Sequence, residues 1–224
     1  MNKLDVPARI DEIHVSSNPY NEPVTIKEIP PYFECIGVGT DAAVFRHVNQ
    51  PHMAYKVYAQ DKLEKKDNEE FVYRSLGPSP YFSTFYGSGP HYIVLSFEEG
   101  LSLYDCLLQG VLIPPEVVED VEQARRFVQM KGLNPRDIHL KNILLQHGHA
   151  KVIDVSEYVH EGNDLRWELL KQGYEEYYPL IKGKAIPLWV LETSRKWYNQ
   201  TKGNAFQFDE FMRKIKRLNP FLKE

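Results

Sequence analysis

Cysteine is nearly absent from this chain, with Cys35 and Cys106 alone among 224 residues. Two thiols so far apart build no disulfide framework and lack the close spacing of a zinc site, so both read as free thiols in a reducing compartment. Long apolar runs are missing too. No stretch approaches the ~18 residues that a membrane span needs, and MNKLDVPARIDEIHV lacks the apolar core of a signal peptide. These absences predict a cytoplasmic protein with no membrane partner. Strong net charge is likewise lacking. At −4, the chain has no broad electrostatic reason to bind nucleic acid, and none is predicted as a partner.

What remains is an ordinary globular composition, 42% hydrophobic and 26% charged, long enough for one domain or for two lobes. No internal repeat or low-complexity tract interrupts it. The first third carries strand signals at Val24–Ile26, Phe33–Val38, Ala43–Phe45 and Met53–Tyr58, with a turn around Gly37 and Gly39. A helix suits Lys62–Leu76, stopped by Gly77-Pro78. Tyr92–Phe97 is an apolar run that reads as a buried strand, and Glu98-Glu99-Gly100 after it reads as a hinge. Beyond the hinge, Pro115 suits a first helical position, and Val117, Val121, Ala124 and Val128 follow at helical spacing toward Gly132. A hairpin comes next, Asn142–Leu145 and Ala150–Val155 around His147-Gly148. From Asp164 onward the pattern is helical, and Phe208, Phe211, Met212, Ile215 and Leu218 form a stripe assigned to packing. Residues 1–30 stay open, an extra hairpin over the small lobe being one reading.

Four polar features fall along this layout. Gly37-Val38-Gly39-Thr40-Asp41-Ala42-Ala43-Val44 lies between two strands, where absent Cβ atoms let backbone approach phosphate oxygens. Lys56, on the next strand, is placed to neutralise phosphate charge and wants a carboxylate to hold it; Glu69 is the choice, with Glu70 as the alternative. In Arg136-Asp137-Ile138-His139-Leu140-Lys141-Asn142, a carboxylate and an amide stand five positions apart. The first suits accepting a hydroxyl proton and the second suits a metal. Asp154, at the end of the hairpin's second strand, suits a metal as well. Each has an ordinary reading: a hairpin turn, a solvated strand lysine, a solvated helix face, a polar loop, a strand-end cap. It is their shared order that argues against accident.

In that order the chain resembles the protein kinase superfamily over most of residues 33–170. More narrowly it is similar to the atypical RIO kinases and related small bacterial serine/threonine kinases, through Gly39-Thr40-Asp41-Ala42-Ala43-Val44-Phe45 and Ile153-Asp154-Val155-Ser156. The resemblance implies an α+β, two-lobed protein-kinase-like fold with a reduced C-terminal lobe. Residues 1–97 would form a β-rich lobe with one helix, and residues 98–224 a mainly helical one. It implies ATP and Mg²⁺, with Mn²⁺ able to take its place. Asp137, Lys56, Glu69, His139 and Lys141 would be catalytic, and Asn142 and Asp154 would hold the metal. The nucleotide would meet Gly37, Val38, Gly39, Ala42, Val44, Ala54, Lys56, Leu95, Phe97, Glu98, Leu144 and Ile153, with Leu95 as gatekeeper.

Departures from the family pattern are informative. Pro135 stands where a histidine is usual, and His139 where a lysine is usual, so His139 either meets the γ-phosphate or packs, and Lys141 is the other source of charge. Nine residues, 155–163, separate Asp154 from Asp164, with no Ala-Pro-Glu motif. That leaves no room for a long activation segment, and none of the usual peptide-docking platform. A protein serine or threonine hydroxyl is the expected acceptor, with a small-molecule hydroxyl second and a nucleotide-binding pseudokinase or ATPase switch as the alternative class.

Overall fold

Along Gln50–Tyr58 the side chains alternate between two faces, and that alternation organises the first half of the chain. In the computed structural model, which describes residues 6–201 and residue 213, this strand is β5 of a five-stranded antiparallel sheet. Its order is β3 (Phe33–Val38), β4 (Ala42–His47), β5, β7 (Tyr92–Ser96), β6 (Phe85–Ser88). Tyr55 and Val57 point to one face with Ala43, Phe45 and Val94, all fully buried. Ile10, Ile13, Val15 and Val24 cover that face, from a segment that includes a small hairpin of β1 (Val15–Ser16) and β2 (Thr25–Ile26). Each such large apolar side chain contributes about 2 kcal/mol by leaving water. The open question about residues 1–30 thus has an answer over their described part: a hairpin closes the back of the sheet.

The opposite face carries the partners of the register. Val44 lies across from Lys56 and Lys56 from Ile93, while Ala42 faces Tyr58 and Ala54 faces Leu95. Directly opposed residues share a face of a sheet. A bulge between Cys35 and Gly37 shifts the register so that Gly37 comes opposite Val44. Helix α1 (Leu63–Leu76) buries Lys66, Glu69, Val72, Tyr73 and Leu76 at helical spacing. It ends on Gly77, whose φ of 66° suits glycine and whose N–H returns to the Tyr73 carbonyl at 3.1 Å.

After Ser96 the chain turns helical. Ser102 caps α2 (Leu103–Gln109), its Oγ accepting the Asp105 N–H at 3.1 Å. Helix α3 (Glu116–Met130) buries Val117, Val121, Ala124 and Val128, as the sequence pattern predicts. A second sheet orders β10 (His149–Val152), β9 (Ile143–Gln146) and β8 (Leu101–Ser102). His147 and Gly148 both have positive φ, the twist a two-residue hairpin requires. Helices α4 (Arg166–Ile181) and α5 (Leu188–Thr201) follow. The stripe from Phe208 to Leu218 lies outside the described residues.

By compactness the chain forms two units. One takes the residues up to Glu98 with Met130–Leu133 and Asp154–Val159, and the other takes Glu99–Gln129, Asn134–Ile153 and the chain from His160. Among the described residues no helix is long and apolar enough to cross a membrane.

Candidate active site

In the first unit, Lys56 connects two carboxylates. Its Nζ lies 2.6 Å from Oε2 of Glu69 and 3.1 Å from Oδ2 of Asp154, with the lysine side chain 14% exposed and the glutamate fully buried. Strand alternation places Tyr58 on the same face, and its hydroxyl also donates to Glu69 Oε2. Glu70, one residue on, faces elsewhere and pairs with Lys66 and Arg74. Burial holds the Glu69 carboxyl above its usual range, against the pull of Lys56. Burial acts on Asp154 in the same direction, but there Lys56 and the Ser156 hydroxyl prevail and bring the carboxyl down to about 2. Lys56 itself is raised, since the two carboxylates outweigh its desolvation. Lys56 thus joins the two carboxyl groups into one cluster.

Asp154 is not part of a strand. β10 stops at Val152, and Asp154 takes a left-handed φ of 65°, with Ser156 Oγ donating to its Oδ1 at 2.8 Å. The sequence expectation of a strand-end position is therefore corrected to a turn just past the strand. The turn fixes the carboxylate by a local hydrogen bond that strand pairing could not supply.

The glycine segment sits on the same sheet. Gly39 N–H donates to the Ala42 carbonyl at 2.9 Å, and the Gly39 carbonyl accepts from Val24 N–H at 2.9 Å. A Cβ on Gly39 would come within 3.2 Å of the Ala42 oxygen, which explains the small residue. Val38 is exposed. Asp41 is drawn to α1 by Lys62 at 3.4 Å and Lys65 at 2.9 Å, and Lys65 reaches on to Glu157 at 3.2 Å. Leu95 and Ala54 are buried side by side across β7 and β5. Phe97 donates its N–H to the His52 carbonyl at 2.8 Å and has Arg46 over its ring at 4.8 Å, while Glu98 accepts from Ser96 Oγ.

In the second unit, Asp137 stands in a left-handed turn with φ 56°. Its N–H donates to Asp164 Oδ2 at 2.8 Å, and its Oδ1 accepts from Arg166 Nη1. Asn142 donates through Nδ2 to the Asp137 carbonyl at 3.2 Å, which leaves its amide oxygen as the group suited to a metal. His139 Nδ1 accepts the Lys141 N–H at 3.2 Å, and its Nε2 is 3.9 Å from Asp137 Oδ1. Lys141 Nζ rests 4.5 Å from the centre of the Tyr104 ring. Leu144 is half-buried on β9, and Ile153 donates its N–H to the Asn142 carbonyl at 2.9 Å. Tyr58, Ser156 and Tyr198 were not singled out from the sequence as partners of this chemistry, and Asp164 and Arg166 were read there as a helix start. Tyr58 is legible from the two-residue period of the Lys56 strand and Ser156 from its place two residues after Asp154, whereas nothing in the spacing of Asp164, Arg166 and Tyr198 ties them to Asp137.

No family model matches the chain. Among curated proteins, it is 30% identical over 169 residues to the "Putative serine/threonine-protein kinase YrzF" of Bacillus subtilis (strain 168), covering 74% of this chain and 79% of that protein. The chain belongs to a kinase-like family. Its α+β architecture is the class the sequence predicts and is compatible with a kinase-like fold.

Whether the donor set of this kinase-like chain fits a metal is a matter of ligand chemistry. Among the described residues no three or more His, Cys, Asp or Glu gather into a metal cluster. The carboxylate of Asp154 in the first unit and the amide oxygen of Asn142 in the second are each hard oxygen donors of the kind that divalent cations take.

Proposed function

We propose that this chain is an ATP-dependent phosphotransferase, a RIO-like serine/threonine protein kinase acting in the cytoplasm, whose lobes are residues 1–97 and 98–224. The observation that carries this reading is Lys56 held between Glu69 and Asp154. A lysine fixed by a buried carboxylate is a preorganised cation for phosphate oxygens, and it needs no rearrangement when the nucleotide arrives.

ATP supplies the γ-phosphoryl group; Asp154 and Asn142 would hold the Mg²⁺ that accompanies it, which would neutralise charge on the phosphate oxygens. Lys56 neutralises phosphate charge, Glu69 orients Lys56, and the segment Gly37–Val44 offers backbone to the phosphates. Asp137 orients the acceptor hydroxyl and receives its proton. The acceptor oxygen bonds to the γ-phosphorus, the bond from that phosphorus to the bridging oxygen breaks, and ADP leaves. The short segment 155–163 favours one second reading, a small-molecule hydroxyl as acceptor, because a peptide has little surface there to lie on.

The test is intact-protein mass after incubation with ATP and Mg²⁺, together with ADP release, for wild type, Asp154→Ala and Asp137→Ala. Wild type is expected to release ADP or gain phosphate, and neither variant is. Asp137→Ala should still bind ATP. A wild type that binds ATP but never transfers phosphate would point to the pseudokinase or ATPase-switch class.

A further inference from the structure

The resemblance leaves a cation beside Asp137 unassigned, with His139 and Lys141 as the sequence candidates. Geometry separates them. His139 Nε2 is 3.9 Å from Asp137 Oδ1, beyond hydrogen-bond reach, and its Nδ1 is tied to the Lys141 N–H. The ammonium of Lys141 lies on Tyr104, whose hydroxyl donates to Glu192 Oε1 at 2.8 Å. Arg166 hydrogen-bonds the carboxylate, through Nη1 to Oδ1.

Arg166 is itself built into place. Asp164 Oδ1 accepts its backbone N–H at 3.2 Å, and Asp164 Oδ2 lies 3.6 Å from its Nε. The same Asp164 Oδ2 accepts the backbone N–H of Asp137. Tyr198 stacks against the guanidinium at 5.3 Å and donates its hydroxyl to the Asp164 carbonyl. One turn thus fixes the main chain of Asp137 through Asp164 and its side chain through Arg166. The guanidinium remains 32% exposed and the Asp137 side chain 28% exposed, so the pair is reachable from solvent.

We infer that Arg166 is the positioning residue for Asp137, holding its carboxylate toward the acceptor oxygen in the place the family pattern gives to a lysine of the loop. The inference rests on the reading of Asp137 as the proton-accepting carboxylate. A guanidinium suits the task because its planar, directional N–H groups orient a carboxylate, whereas an ammonium acts as a point charge. Arg166 acts through Asp137 and not on the nucleotide, so its loss should lower turnover and leave ATP binding alone.

The experiment measures ADP release from Mg-ATP, ATP affinity and melting temperature for wild type, Arg166→Ala, Arg166→Lys, Lys141→Ala and Asp137→Asn, with Arg195→Ala as a surface control. Misplacing a reacting group costs about 100-fold, so Arg166→Ala is expected to lose turnover on that order with ATP affinity within about twofold. Added guanidinium ion should restore part of the Arg166→Ala rate and none of the Asp137→Asn rate, a rescue that a merely structural arginine would not give. Arg166→Lys should keep the charge and still lose about tenfold. If Arg166→Ala does not fold, Arg166→Lys decides: full activity there overturns the inference. So does an Arg166→Ala rate equal to wild type, or a larger loss in Lys141→Ala than in Arg166→Ala. A wild type that binds ATP and turns nothing over removes the kinase reading and this inference with it, an outcome distinct from an active wild type indifferent to Arg166.

Discussion

Lys56 and Glu69 meet at 2.6 Å, one from a central strand and the other from the first long helix, with the carboxylate fully buried. Tyr58 adds a second donor to the same oxygen. A buried charge without its partner is far costlier than a well-packed apolar pair, so the two residues are coupled. Lys56→Met should destabilise the fold by about 3–5 kcal/mol in urea titration, because it strands Glu69. Adding Glu69→Leu should recover most of that stability and none of the phosphotransfer. Were the double variant no more stable than Lys56→Met, Glu69 would not be the residue that suffers.

Glu70 gives a pH dependence away from this cluster. Its Oε2 accepts from Lys66 at 2.7 Å and its Oε1 from Arg74 at 2.8 Å and 2.9 Å. Burial opposes ionisation, but these partners and Ser88 prevail and lower its pKa from the usual 4.5 to about 2. A carboxyl depressed by folding stabilises fully above its unfolded pKa and loses that contribution as pH falls through the folded value. Glu70→Gln should therefore cost about 1–2 kcal/mol at pH 7 and progressively less between pH 5 and 2. Denaturant curves across that range check it; a cost constant with pH would show that the charge is not involved.

The parts of this molecule that the sequence reveals are those written in local period. Val117, Val121, Ala124 and Val128 mark α3, and His147-Gly148 marks a hairpin, because each depends on neighbours a few residues away. The sequence prefers Glu69 over Glu70 for Lys56, and the structure puts those two in contact and turns Glu70 to Lys66 and Arg74. Other features have no local signature. Arg166 reaches Asp137 across 29 positions, through a left-handed turn at Leu165 that no pattern announces. Helix α2 spans only seven residues and buries Leu103 and Cys106 alone, too few to show a period. The covering segment of Ile10, Ile13, Val15 and Val24 is broken by prolines and 3-10 turns, so its apolar residues never alternate cleanly.

The two hydroxyls of the segment 155–163 are sheltered, which argues against a phosphorylation switch there. Ser156 and Tyr158 are 9% and 1% exposed, and the Ser156 hydroxyl is bonded to Asp154. A kinase needs an extended, accessible hydroxyl, so peptide mapping after ATP incubation should find neither residue phosphorylated. Ser156→Glu would set a second carboxylate against Asp154, and activity should fall at least about tenfold through like-charge repulsion. An activity gain in that variant would mean that a switch exists after all.

The segment from Ile10 to Val24 packs on the five-stranded sheet and is part of its core. Ile13 is 2% exposed and belongs, with Ile10, Val15 and Val24, to the same core cluster as Phe45, Tyr55, Val57 and Val94. Truncating it leaves a cavity against rigid strands that cannot collapse, since their register is fixed on both sides by β4 and β7. Ile13→Ala should therefore cost about 2–4 kcal/mol, measured by denaturant unfolding. Val24 N–H reaches the Gly39 carbonyl from the same segment, so loosening it should also weaken ATP binding, because the glycine turn loses an anchor. Stability lost with ATP affinity unchanged would separate the two roles and leave the segment with packing alone.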